Sequence, residues 1–327
     1  MNNIRIWEIG FGVWNAERAV SGIEAARYST NSQLPNPKSY KGFTLIEMIM
    51  VIVITGIIGS MVAVFLKAPI QQYTDVSRRA ELSNIADTAL YQLASDISTS
   101  VPNSVRVAGC GSSPCVEFIP TKDGGRYRNN AQGGTGSCGA AGDDLDFSKA
   151  DSCFEIVGQP INFSTGASGD YIVLGSTQSS GNPPYDTTAA TGVLRAYTGA
   201  SGAQKMVIIT ATQFPLFASL ASPRFDVVDG SRQAITFSCE GTLGMLNASN
   251  DGQASMVKHW LYGFNAVQAA PVSLGGSRAL LATKVSGCSI NYDTSNQRMG
   301  LLTVGLTLTS SGESVTLYHE IHVNNMP

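Results

Sequence analysis

Lys41-Gly42-Phe43-Thr44-Leu45-Ile46-Glu47 opens an apolar run that reaches Leu66 and contains a single charged residue, Glu47. As a helix rising about 1.5 Å per residue, Phe43 to Leu66 is roughly 36 Å long, more than the ~30 Å of a bilayer core. The segment is therefore expected to begin life across a membrane. A carboxylate inside such a span costs about 2.5 to 3.5 kcal/mol on insertion scales, softened here by its place near the membrane surface. Something should offset that cost. Lys38 and Lys41 lie just before the span, which places the N-terminal side in the cytoplasm and everything after it outside.

Gly42-Phe43-Thr44-Leu45-Ile46-Glu47 behind a lysine resembles the type IV prepilin signature. The resemblance implies cleavage after Gly42 by a membrane prepilin peptidase and methylation of the new amino terminus at Phe43. It also implies that Glu47 pairs with the terminal amine of a neighbouring subunit during assembly. Physics agrees with those roles, because an ammonium and a carboxylate brought together in an apolar zone attract far more strongly than in water. A lone subunit carries the penalty of Glu47, and a polymer relieves it. The bland alternative is that Glu47 only complements the helix N-terminal dipole, worth about 0.3 to 1 kcal/mol.

Residues 1–42 form a much longer leader than most such proteins carry. Trp7, Trp14, Glu8, Glu17 and Glu24 fit neither an apolar signal core nor a transit peptide. Translation is expected to start downstream, at a non-Met codon such as that of Leu34, which would leave residues 1–33 untranslated. The alternative is a genuine long leader, and either way the segment is expected to be absent from a mature chain of residues 43–327.

Beyond Leu66 the pattern changes but the helical period persists. Leu82, Ile85, Ala89, Leu93 and Ile97 recur every three or four residues, with Glu81, Asn84, Asp87 and Asp96 between them. One helix is predicted from Phe43 to Thr99, with residues 43–66 the membrane or filament-core half and 67–100 an amphipathic half. Gly56, Gly59 and Pro69 are weak points where it is expected to loosen or bend.

Pro102 and the cysteine- and glycine-rich stretch after it end the helix and begin a β-rich composition, predicted as a head over 101–327. Val116–Ile119, Tyr171–Leu174, Met206–Thr210, Ala234–Ser238, Leu301–Thr309 and Ser314–Val323 read as strands. The last two, joined by Ser310-Ser311-Gly312-Glu313, make the clearest hairpin. The fold class is α+β, a long N-terminal spine helix packed on a disulfide-containing β-sheet head. All six cysteines lie in the exported part, where an even count points to disulfides. Six allow many pairings, and sequence does not choose; the working assignment is nearest neighbours, Cys110 with Cys115, Cys138 with Cys153 and Cys239 with Cys288.

Signals for chemistry are weak. His319-Glu320-Ile321-His322 spaces its histidines by three on a predicted strand, which puts them on opposite faces. Asp143, Asp144, Asp146 and Asp151 could gather a calcium ion, but they lack the glycine and terminal glutamate of a calcium loop and read better as a solvated acidic loop. No G-x-S-x-G elbow occurs, and no metal, cofactor or catalysis is expected. With 14% charged residues, a net charge of −3 and no basic stripe, nucleic acid is not an expected partner. Arg78-Arg79 reads as a solvated or salt-bridged helix face.

The chain is longer than major pilins, so the resemblance narrows to minor pilins. Val76-Ser77-Arg78-Arg79-Ala80-Glu81-Leu82, Pro102-Asn103-Ser104-Val105-Arg106-Val107 and the ending from Leu317 to Pro327 resemble minor pilins of the mannose-sensitive haemagglutinin (MSHA) pilus system. That implies a Gram-negative cell, an inner-membrane assembly platform and other minor and major pilins as partners. It also implies an inner-membrane location with a periplasmic head, followed by the pilus at the cell surface. The implied function is a structural subunit that initiates or caps a filament. The alternatives are a large minor pseudopilin of type II secretion, a tip-displayed adhesin and an anchored protein that never polymerises.

Overall fold

One helix and two antiparallel sheets organise the residues that the computed structural model describes, 42–108, 110–128, 138, 142–177, 183–187, 191–295 and 298–326. The proposed leader, residues 1–42, lies outside them except for Gly42. Helix α1 spans Leu45–Ile97. The strands follow as β1 (Cys115–Phe118), β2 (Thr121–Tyr127), β3 (Asp151–Val157), β4 (Ile161–Phe163), β5 (Tyr171–Leu174), β6 (Leu194–Ala196) and β7 (Gly202–Gln204). The rest are β8 (Met206–Thr212), β9 (Arg224–Val228), β10 (Ile235–Leu246), β11 (Gly252–Trp260), β12 (Ser277–Asp293), β13 (Met299–Ser310) and β14 (Glu313–Asn324). The chain divides into two units, Met1–Val62 and Ala63–Pro327.

α1 stops two residues short of the expected helix at each end, because Thr44 acts as a cap before it and Thr99 belongs to the turn that follows. It runs without interruption through Gly56, Gly59 and Pro69. Pro69 removes one backbone donor from the ladder, yet the surrounding turns hold.

In the second unit, the helix buries Leu82, Ala86, Ala89, Leu90, Leu93 and Ile97 against one face of a six-stranded sheet ordered β1-β10-β11-β12-β13-β14. Val116, Phe118, Phe237, Met256, Val285, Val304 and Leu306 receive that stripe. Each such side chain removed from water contributes about 1.5 to 3 kcal/mol. Ile85 is only half-buried, since Ala86 and Leu90 sit closer to the sheet. Asp96 would oppose the helix dipole at this end. Two cations from the sheet side neutralise it, Arg232 at 2.8 Å and Lys258 at 2.5 Å. Farther up, Arg79 reaches Glu313 at 2.7 Å, and Arg78 pairs with Asp75 at 3.5 Å.

β13 and β14 pair along their whole length, from Ser310↔Glu313 to Met299↔Asn324. Ser311 and Gly312 both take positive φ, 51° and 86°, the mirror-image turn whose twist matches that of the strands. His319 points to the half-buried side of β14 and His322 to the exposed side.

β2 to β9 form a separate layer. Their six-stranded sheet has the order β6-β5-β9-β2-β3-β8, with β4 and β7 as a two-stranded ribbon. Its two edges meet, since Tyr197 after β6 bridges to Ile209 of β8 and the Thr198 N–H donates to the Ile208 carbonyl at 2.8 Å. The sheet thus curls into a small barrel around Tyr127, Phe154, Ile156, Ile172, Val207 and Phe225. The whole barrel lies between β1 and β10, which are neighbours in the first sheet. It is an insertion. A third cluster, including Val101, Ile119, Val173, Tyr185 and Val228, joins it to the first sheet.

Three disulfides tie the head: Cys110–Cys115, Cys138–Cys153 and Cys239–Cys288, with Cα separations of 5.7, 5.5 and 6.4 Å. The third links β10 to β12.

Candidate functional site

The N-terminal segment is built around one capping residue. The Glu47 N–H donates to Thr44 Oγ1 at 3.3 Å and to the Thr44 carbonyl at 3.1 Å, and the Met48 N–H reaches the same carbonyl at 3.2 Å. Thr44 is therefore the N-cap and Glu47 the third helical residue, the spacing of a capping box. Gly42 and Phe43 stay outside the helix. The Gly42–Phe43 bond, where cleavage is expected, is uncovered, with Phe43 80% exposed. Among the described residues no group pairs with the Glu47 carboxylate.

The turns that follow are apolar on every side, and none of the most apolar window is buried. Their few hydroxyls turn inward to the backbone, Thr55 to the Val51 carbonyl at 2.7 Å and Ser60 to the Ile57 carbonyl at 2.8 Å. A helix apolar all round needs apolar surroundings. Its length and composition suffice to cross a membrane. A Cβ at Gly56 or Gly59 would meet nothing within 4 Å, so these glycines leave notches on an open surface.

The head contains a buried polar network with no counterpart in the sequence reading. Arg106 Nε binds Glu117 Oε2 at 2.7 Å, while Nη1 and Nη2 donate to the Ala266 and Asn265 carbonyls at 3.0 and 2.7 Å. Its guanidinium stacks 3.6 Å above the Tyr185 ring, whose hydroxyl donates to the Ser104 carbonyl. Tyr262 donates to Glu117 Oε1 at 2.9 Å. Burial pushes the Glu117 carboxyl up, and Arg106 pulls it back. Every charge in this network is satisfied, so it fixes β1 and the loop after β11 rather than offering chemistry. The only sequence signal was Arg106 itself, inside a run noted for other reasons.

The acidic residues weighed for calcium face different partners. Asp144 lies 3.1 Å from Arg128 Nε, and Asp146 holds Ser148 and Lys149. The Asp143 carboxyl is pushed up by burial, then by Asp151, Asp144 and Glu155. Among the described residues no three His, Cys, Asp or Glu side chains converge to hold a metal ion.

Residues 37–63 match the prokaryotic N-terminal methylation motif. No curated protein and no solved structure matches the chain. The motif covers Gly42, Phe43, Glu47 and most of the exposed apolar helix, and it supports a type IV pilin-like protein with a membrane-capable N-terminal helix and a disulfide-bonded β head.

Proposed function

We propose that the chain is a minor pilin, a non-catalytic subunit that helps initiate or cap a type IV filament of the MSHA type, most similar to the minor pilin called MshO. The observation that carries the reading is Glu47, a carboxylate without a partner among the described residues on an exposed apolar helix, behind an uncovered Gly42–Phe43 bond. Cleavage by prepilin peptidase after Gly42 creates an ammonium on Phe43. In a filament the Glu47 carboxylate of one subunit meets that ammonium on another, and the neutralised pair sits where either ion alone is unfavourable. The helix then exchanges lipid for the helices of neighbouring pilins, while the assembly platform draws subunits from the inner membrane. Before assembly the head is periplasmic. Gly56, Gly59 and Pro69 supply places where helix packing in the filament can locally unwind α1.

A second reading, a tip-displayed adhesin, is favoured by the inserted barrel, a module larger than the spine and its sheet require. Deletion of the gene separates the two. Loss of pili is the result expected for an initiating or capping subunit, and normal pili with lost adherence would replace that reading by the adhesin.

A further inference from the structure

Three arginines lie on the outer face of the barrel at β2 and β9, and their surroundings differ. Arg128 is held between Asp144, 3.1 Å from its Nε, and Glu155, 3.3 Å from its Nη1. Arg126 and Arg224 are exposed, and among the described residues neither has an ion pair or a side-chain hydrogen bond. They are nevertheless direct partners across the ladder. The neighbouring Tyr127 N–H donates to the Pro223 carbonyl at 3.1 Å, which makes that the hydrogen-bonded pair. Arg126 and Arg224 therefore occupy the alternate, non-hydrogen-bonded position, where facing Cα atoms are only about 4.5 Å apart and side chains are closest. Like charges placed directly opposite oppose strand pairing. A chain with more acidic than basic residues, 24 against 21, does not lack carboxylates to put there.

The space beside the two guanidiniums is open. Gly124 stands opposite Asp226 on the same face, so no side chain from β2 fills the position next to Arg126. Gly124, Gly125, Arg126, Arg224, Phe225 and Asp226 line a surface depression of about 290 Å³.

We propose that this depression binds an oxyanion, a sulfate or phosphate group, held jointly by Arg126 and Arg224. The planar guanidinium fork matches two oxygens of such a group, and charge-assisted bonds to both arginines replace their mutual repulsion. Asp226 modulates the site. Its carboxyl is pushed up to about 6 by burial, against the pull of Arg224. The groups facing it are Arg224 on its own strand, Gly124 and Arg126 on β2, and Val173 on β5. Protonation below that value removes the competing negative charge and strengthens anion binding.

The inference stands apart from the filament reading, since Glu47→Ala leaves it untouched. The test uses the full chain in detergent micelles at constant ionic strength, titrated with inorganic sulfate and separately with dextran sulfate, while the arginine Nε–H resonances are followed by NMR. The Arg126 and Arg224 signals are expected to shift together and saturably. Arg126→Gln or Arg224→Gln should weaken binding at least tenfold, and Lys149→Gln should leave it unchanged. Thermal midpoints of the unliganded variants no lower than the parent's will show that they fold. Sulfate should bind more tightly at pH 5 than at pH 7 in the parent and equally at both in Asp226→Asn. Tighter binding of dextran sulfate per sulfate group supports the site with a polymeric ligand, and equal affinity supports it with a free anion. Failure of both ligands to move the two signals, or parental affinity in the doubly substituted Arg126→Gln/Arg224→Gln protein, would overturn the proposal.

Discussion

The two ends of α1 both carry large apolar residues, and these meet opposite fates. Ile57 is 52% exposed and Phe65 83%, whereas Leu93 and Ile97 are 0% exposed. Composition and periodicity both separate them. From Leu45 to Leu66 apolar residues occupy every side of the helix, so no single face of this chain's own head could cover them. From Leu82 to Ile97 they form one stripe, and one sheet covers it. The partner of the first end lies outside the chain, in lipid or in other subunits, and the partner of the second lies within it.

The largest expected effect is at the first end. Glu47→Ala should reduce incorporation into filaments by tenfold or more, measured by immunoblot of sheared pili, while the thermal midpoint of the head stays at the parental value. Equal incorporation would remove Glu47 from assembly. At the second end Leu93→Ala should destabilise the head by about 2 to 5 kcal/mol in denaturant unfolding, because a fully buried leucine leaves a cavity. Ile57→Ala, an exposed deletion, should change it by less than about 0.5 kcal/mol. A large effect of Ile57→Ala would break the comparison. Replacing both Cys239 and Cys288 by Ser removes the link between β10 and β12 and should cost about 2 to 4 kcal/mol by the same measurement.

The last effect depends on pH. The Asp226 carboxyl titrates near 6 in the folded head and near the ordinary 3.8 when unfolded. Between those values the folded state holds a proton that the unfolded state releases. This group therefore favours folding most at low pH, and the advantage is lost as pH rises through about 6. Relative to Asp226→Asn, the parent should lose about 2 to 2.5 kcal/mol of stability between pH 4 and pH 7. An equal pH slope in the two proteins would refute that assignment.

The same contrast governs what could be read from the chain alone. The 82–97 stripe and the β13–β14 hairpin were legible because local period and turn residues agree with their tertiary surroundings. β12 was not read as one strand, since irregular pairing around Lys284 and Gly287, with φ of 60° at Lys284, interrupts its alternation. The barrel was hidden for another reason. Tyr171–Leu174 and Met206–Thr210 look like strands, but their partners come from segments of three to seven residues far along the chain. Nothing local announces that β1 and β10 are neighbours across that insertion. Within the N-terminal site, the residues themselves were visible in one hexapeptide, while the capping role of Thr44 needed the backbone geometry. The Arg106–Glu117–Tyr262 network was invisible, because Tyr262 lies 145 residues from Glu117.

The central claim is that the first end of α1 is processed for a partner outside the chain. Mass spectrometry of the protein's N-terminal peptide, from membranes of cells with and without prepilin peptidase, tests it most directly. An N-methylated peptide beginning at Phe43, present only with the peptidase, is the result expected. An uncut chain in peptidase-containing cells would contradict the account and leave an anchored protein that does not assemble.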